Sequence, residues 1–111
     1  MKPEDSLQRC IALVDIAHHI PGRIRLKLNA DVEDLRRIGH AGIKRLDDAL
    51  DAVPGVRRVH LNKLARSIIV EYDNRAIPDR AWPDLLANRF SPEATALLNR
   101  LRDGYLQATD I

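Results

Sequence analysis

The thiol of Cys10 and the imidazoles of His18, His19 and His60 are donors that suit a transition-metal ion such as Zn, Cu, Ni or Fe. A single cysteine excludes both an intramolecular disulfide and the paired thiolates of a CxxC site. His18 and His19 are neighbours, so an extended chain aims them at opposite faces and they would not chelate one ion together. A shared ion would need a surface or interchain site. The plainer reading makes His18 a strand residue with a satisfied ring and His19 a solvated one. A second chemistry lies just downstream, where Arg23, Arg25 and Lys27 alternate with Ile24, Leu26 and Leu28. Such a strand buries three aliphatics and shows three cations, which could receive phosphate, anionic lipid or an acidic protein, with Arg57 and Arg58 as neighbours. The same charges would also protect an exposed strand edge from aggregation. Asp47, Asp48 and Asp51 read as the solvated face of a helix, and no serine or cysteine has an evident base. The expectation is a protein that is not an enzyme.

The elements that must position these groups follow from periodicity. Residues 1–9 are polar and read as a flexible N-terminus, and Ile11, Leu13, Val14 and Ile16 read as a strand or half-strand. The phase of residues 16–28 favours one strand kinked at Pro21, while a hairpin remains the alternative. A two-residue Pro21-Gly22 turn would set Ile20 opposite Arg23, His18 opposite Arg25 and Ile16 opposite Lys27, an apolar face against a basic one, so that register is not expected; a three-residue loop would pair Ile20 with Ile24 and Ile16 with Leu28. Asp31 can cap a helix whose stripe is Leu35, Ile38, Gly42, Leu46, Ala49, Leu50 and Val53, ended by Pro54-Gly55. Val56, Val59 and Leu61 mark a strand, Lys63 to Arg66 a turn, and Ser67 to Tyr72 the strongest strand. Helical patterns follow around Trp82, Leu85 and Leu86, and again after Ser91-Pro92-Glu93. The fold class is α+β: a ferredoxin-like split βαβ with an antiparallel sheet, its fourth strand missing or replaced by the N-terminal segment, and two C-terminal helices.

The chain has 111 residues, 45% of them hydrophobic, which suits one domain with a modest, mainly aliphatic core. The organisation expected is residues 10–75 as the domain and 76–111 as a helical extension packing on that domain or on a partner. Eighteen basic residues against sixteen acidic leave a net charge of +2, so bulk charge does not mark a nucleic-acid binder. An RNA-binding sheet would also need exposed aromatics, and this one offers at most Tyr72. No run approaches the roughly 20 apolar residues of a membrane span, and the start lacks the pattern of a signal peptide. Cytoplasmic residence is expected, with peripheral membrane contact open.

The run His19-Ile-Pro-Gly-Arg-Ile-Arg-Leu-Lys-Leu28, then Val53-Pro54-Gly55-Val56, Val59-His60-Leu61-Asn62 and Ser67-Ile68-Ile69-Val70-Glu71-Tyr72-Asp73, resembles heavy-metal-associated-like domains. These occur at the N-terminus of some P1-type metal-transporting ATPases and as small stand-alone proteins. The resemblance spans residues 11–73 and departs from copper chaperones in one respect: the CxxC before the first helix is replaced by Lys27-Leu28-Asn29-Ala30. It implies a setting in metal transport or storage. Pro21, Gly22, Arg23, Arg25 and Lys27 would then dock a protein partner, such as a metal-transporting ATPase, a storage assembly or a second copy of the chain. A chaperone or sensor binding a transition-metal ion through Cys10, His18, His19 or His60 is the alternative, and anionic membrane or nucleic-acid binding a weaker one.

Overall fold

The computed structural model describes residues 3–29, 32–62 and 64–107, with the side chains of residues 3–6, 8 and 32–41 outside that description. Its elements are α1 (Pro3–Ala12), β1 (Val14–Ile20), β2 (Arg23–Leu28), α2 (Val32–Asp51), β3 (Val56–Asn62), β4 (Ser67–Tyr72), α3 (Ala81–Leu86) and α4 (Pro92–Gln107). The strands form one sheet in the order β1-β2-β4-β3, and every neighbouring pair is antiparallel. The fold is α+β, and its fourth strand is β1, supplied by the N-terminal segment.

Helix α1 corrects the expectation of a strand from residue 10. Leu7, Cys10 and Ile11 recur at spacings of three and four, which places them on one helical face. Leu7 and Cys10 are buried, and α1 packs on α2 and α4. The alternation of Ile11, Leu13, Val14 and Ile16 concealed that face, and the strand begins only at Val14.

The kinked strand is also corrected. β1 and β2 form a hairpin closed by Pro21-Gly22, with Ile20 opposite Arg23, His19 opposite Ile24 and His18 opposite Arg25. That register would set apolar against basic residues along its whole length, but a bulge between Ile16 and His18 resets the phase. Ile16 then lies opposite Leu26 and Val14 opposite Leu28, so the aliphatics meet on one face. Proline followed by Gly22 at φ +78° is the residue order of a type II turn.

The strands β2 and β4 turn Ile24, Leu26, Leu28, Ile68, Val70 and Tyr72 to the core, where Leu46, Ala49 and Leu50 of α2 and Val53 just beyond it complete the burial. The expected Asp31 cap, and the contributions of Leu35 and Ile38, lie outside the described residues. Trp82 and Leu85 of α3 and Leu97, Leu101 and Tyr105 of α4 belong to the same cluster, as does Ile77 in the connection after β4. Helix α4 starts as its sequence dictates: Ser91 Oγ accepts the Ala94 amide at 3.2 Å and donates to Asp84 at 2.9 Å, with Pro92 in the first turn. It crosses α2 closely because Gly104 has no side chain; a Cβ there would lie 3.1 Å from the Ala49 carbonyl oxygen. The other face of the sheet is left to solvent around Arg23, Arg25 and Lys27, all exposed.

Candidate functional site

Strand register assembles the open face row by row, because residues directly opposite one another project to the same side. The first row runs Ile20, Arg23, Glu71, Arg58. The second runs His18, Arg25, Ile69, His60, and the third Asp15, Lys27, Ser67, Asn62. Arg23, Arg25, Lys27 and Arg58 therefore share one surface. None of the four has an ion-pair partner among the described residues. Two carboxylates share this surface: Glu71, half-buried between Arg23 and Arg58 in the first row, and Asp15, opposite Lys27 in the third and hydrogen-bonded by the Asn29 side-chain amide at 2.9 Å. Sequence reading missed Glu71 and gave Arg58 only as a possible neighbour; the alternation of Ile68, Val70 and Tyr72 with Glu71 was the available signal on β4, whereas on β3 a bulge between Val56 and Arg58 breaks the alternation before Val59 and Leu61.

The hairpin tip at the end of this face is held from beneath. Asp79 Oδ1 accepts the Gly22 amide at 3.0 Å and the Tyr72 hydroxyl at 2.5 Å, while Oδ2 takes the Asn74 amide at 3.3 Å. These donors, led by the Tyr72 hydroxyl, hold the Asp79 carboxyl below the usual carboxylate range. Burial first, and then the neighbouring carboxylate, push the Tyr72 phenol well above its ordinary value, so it keeps its proton. That single proton goes to Asp79. His19 Nε2, 2.7 Å from the Tyr72 hydroxyl oxygen, must then be the donor of that contact. Tyr72 also packs against Trp82, their ring centroids 5.3 Å apart. The Tyr72 amide donates to the Gly22 carbonyl at 2.9 Å, and a Cβ on Gly22 would sit 3.2 Å from the Tyr72 carbonyl oxygen. Gly22 thus admits the close approach of the Tyr72 backbone.

The sequence-derived metal donors do not converge. The bulge turns His18 outward and His19 toward Tyr72, the reverse of the expectation that His18 has the satisfied ring and His19 is solvated. His60 shares the open face with His18 but lies three strand spacings away, about 14 Å. Cys10 is 2% exposed, and burial pushes its thiol up against the opposing effects of Tyr105 and Arg45. Arg45 lies over the Tyr105 ring, 3.9 Å from its centroid. Among the described residues no three of His, Cys, Asp and Glu gather as a metal-binding group. These residues do not fit a resident ion within one chain.

A family model described as heavy metal associated domain 2 matches residues 7–86. The chain belongs to this family. The match takes in the hairpin, α2, β3, β4, Asp79 and α3, so both the open face and the tip's anchor fall inside the heavy-metal-associated domain. Membership assigns the chain a metal-associated function. Neither the curated proteins nor the solved structures searched contain a match to the chain. No helix among the described residues is long and apolar enough to cross a membrane.

Proposed function

We propose that this heavy-metal-associated domain is a non-enzymatic adaptor of a metal-ion transport or storage system, docking a protein partner through the open face of β2. The observation that carries the reading is the row Arg23, Arg25 and Lys27, exposed at alternate positions with no ion-pair partner among the described residues. Unpaired cations on a fixed surface steer an acidic partner and set its register at little cost to the fold. The tip gives that surface a fixed end, since Pro21-Gly22 is tied to Tyr72 and Asp79. Arg23 is the cation nearest the tip, and Arg25 and Lys27 extend the row. A metal-transporting ATPase or a storage assembly is the partner class proposed.

Affinity purification from cells, comparing the natural chain with Arg23→Ala/Arg25→Ala, tests this. The natural chain should retain a component of metal transport or storage that the variant sheds, with both proteins melting at the same temperature. Retention of every partner by the variant overturns the proposal.

A further inference from the structure

The open face is not uniformly positive, and this restricts what can dock on it. Arg23, Arg25 and Lys27 lie at alternate positions of one strand, so their side chains follow one another at about 6.5–7 Å. An extended polypeptide presents its own alternate side chains at the same interval. Glu71 interrupts the field between Arg23 and Arg58, where register places it directly opposite both. A continuous polyanion laid over this row would bring negative charge onto Glu71 as well as onto the arginines. A peptide can avoid that by carrying a lysine or an amide at one position.

The rows of this surface hold no phenylalanine, tyrosine or tryptophan for bases to stack on, and their two imidazoles, His18 and His60, stand about 14 Å apart. Tyr72 and Trp82 are turned into the core, and Phe90, although 67% exposed, lies in the loop between α3 and α4 and not on the sheet. We propose that the open face recognises an acidic polypeptide segment of mixed charge. Its carboxylates would sit over Arg23, Arg25 and Lys27 along β2, with one cationic or amide side chain reaching across to Glu71 beside Arg23. Matching these cations supplies attraction, and Glu71 rejects uniform polyanions. The proposal rests on the docking reading and names the chemistry of the partner.

Four probes distinguish the occupants by titration calorimetry at low salt: a peptide alternating glutamate and serine, the same peptide with one central glutamate replaced by lysine, oligouridylate RNA, and phosphatidylserine-containing vesicles. The lysine-bearing peptide should bind about two- to fivefold tighter than the all-glutamate peptide despite its smaller negative charge, the size of one exposed ion pair. Glu71→Gln should erase that preference, and Arg25→Ala/Lys27→Ala should weaken both peptides about tenfold. Absence of peptide binding, equal or tighter binding of the all-glutamate peptide, of RNA or of vesicles, or a preference that survives Glu71→Gln overturns the proposal. If selectivity fails while Arg23→Ala/Arg25→Ala still sheds the cellular partner, the charge pattern is wrong and docking stands. If that variant keeps its partner, docking itself is wrong.

Discussion

Alternate residues of β2 live in two different environments. Ile24, Leu26 and Leu28 are at most 7% exposed, whereas Arg23, Arg25 and Lys27 stand in solvent less than one residue's length away. The inward set fixes the strand in place through packing, and the outward set is free to be chosen for something else. Stability and the proposed docking should therefore be separable by substitution in one six-residue strand. The tip lies between these regimes: Gly22 and His19 belong to the β1–β2 hairpin but are bonded to Asp79 and Tyr72 beneath.

Substitutions across the strand should separate the two sets. Ile24→Ala, at a fully buried position, should cost about 2–5 kcal/mol in denaturant unfolding. Tyr72→Phe removes the hydroxyl shared by His19 and Asp79 and should cost about 1–2 kcal/mol by the same measurement. Gly22→Ala should cost about 1–2 kcal/mol, since φ +78° is strained for alanine and its Cβ would crowd the Tyr72 carbonyl. Arg25→Ala should move stability by no more than about 0.5 kcal/mol while weakening partner binding. Comparable unfolding losses for Arg25→Ala and Ile24→Ala would break the division between the two faces.

The tip also has an acid signature. The Asp79 carboxyl titrates lower in the folded chain than in the unfolded one, so between those two values the unfolded chain binds more protons. The contribution of Asp79 is present above the ordinary carboxylate range and is lost as pH falls through its lowered folded value. Stability of Asp79→Asn should accordingly depend less on pH at the acid end than that of the natural chain. The half-buried Asp47 carboxyl, raised chiefly by burial, acts in the opposite direction and is left unchanged in that comparison.

Strands β3 and β4 and the start of α4 were legible because their signals are local: alternation bounded by turn residues, and a serine, proline and glutamate in sequence. The hairpin was not. The Ala17 bulge changes side-chain parity without any glycine or other mark, so the faces of His18 and His19 were assigned in reverse. Helix α1 was obscured because Ile11, at its end, also fits the alternation that continues into β1. Arg23, Arg25 and Lys27 could be placed on one face from their period alone. Glu71 and Asp79 could not be joined to them, since cross-strand opposition and a hydrogen bond spanning 57 residues leave no periodic trace.

The Asp79 carboxylate bears on how portable this domain is. All four strands end by Tyr72, yet the acceptor for the Gly22 amide and the Tyr72 hydroxyl arrives only after a further connection, with Trp82 close behind. A chain cut after Asp73 would keep every strand of the sheet and leave the hairpin tip unlatched. A transplant of the proposed docking face into another protein must therefore carry at least the stretch through Asp79, together with the α3 and α4 side chains that complete the core. The last strand does not mark the end of the transferable unit.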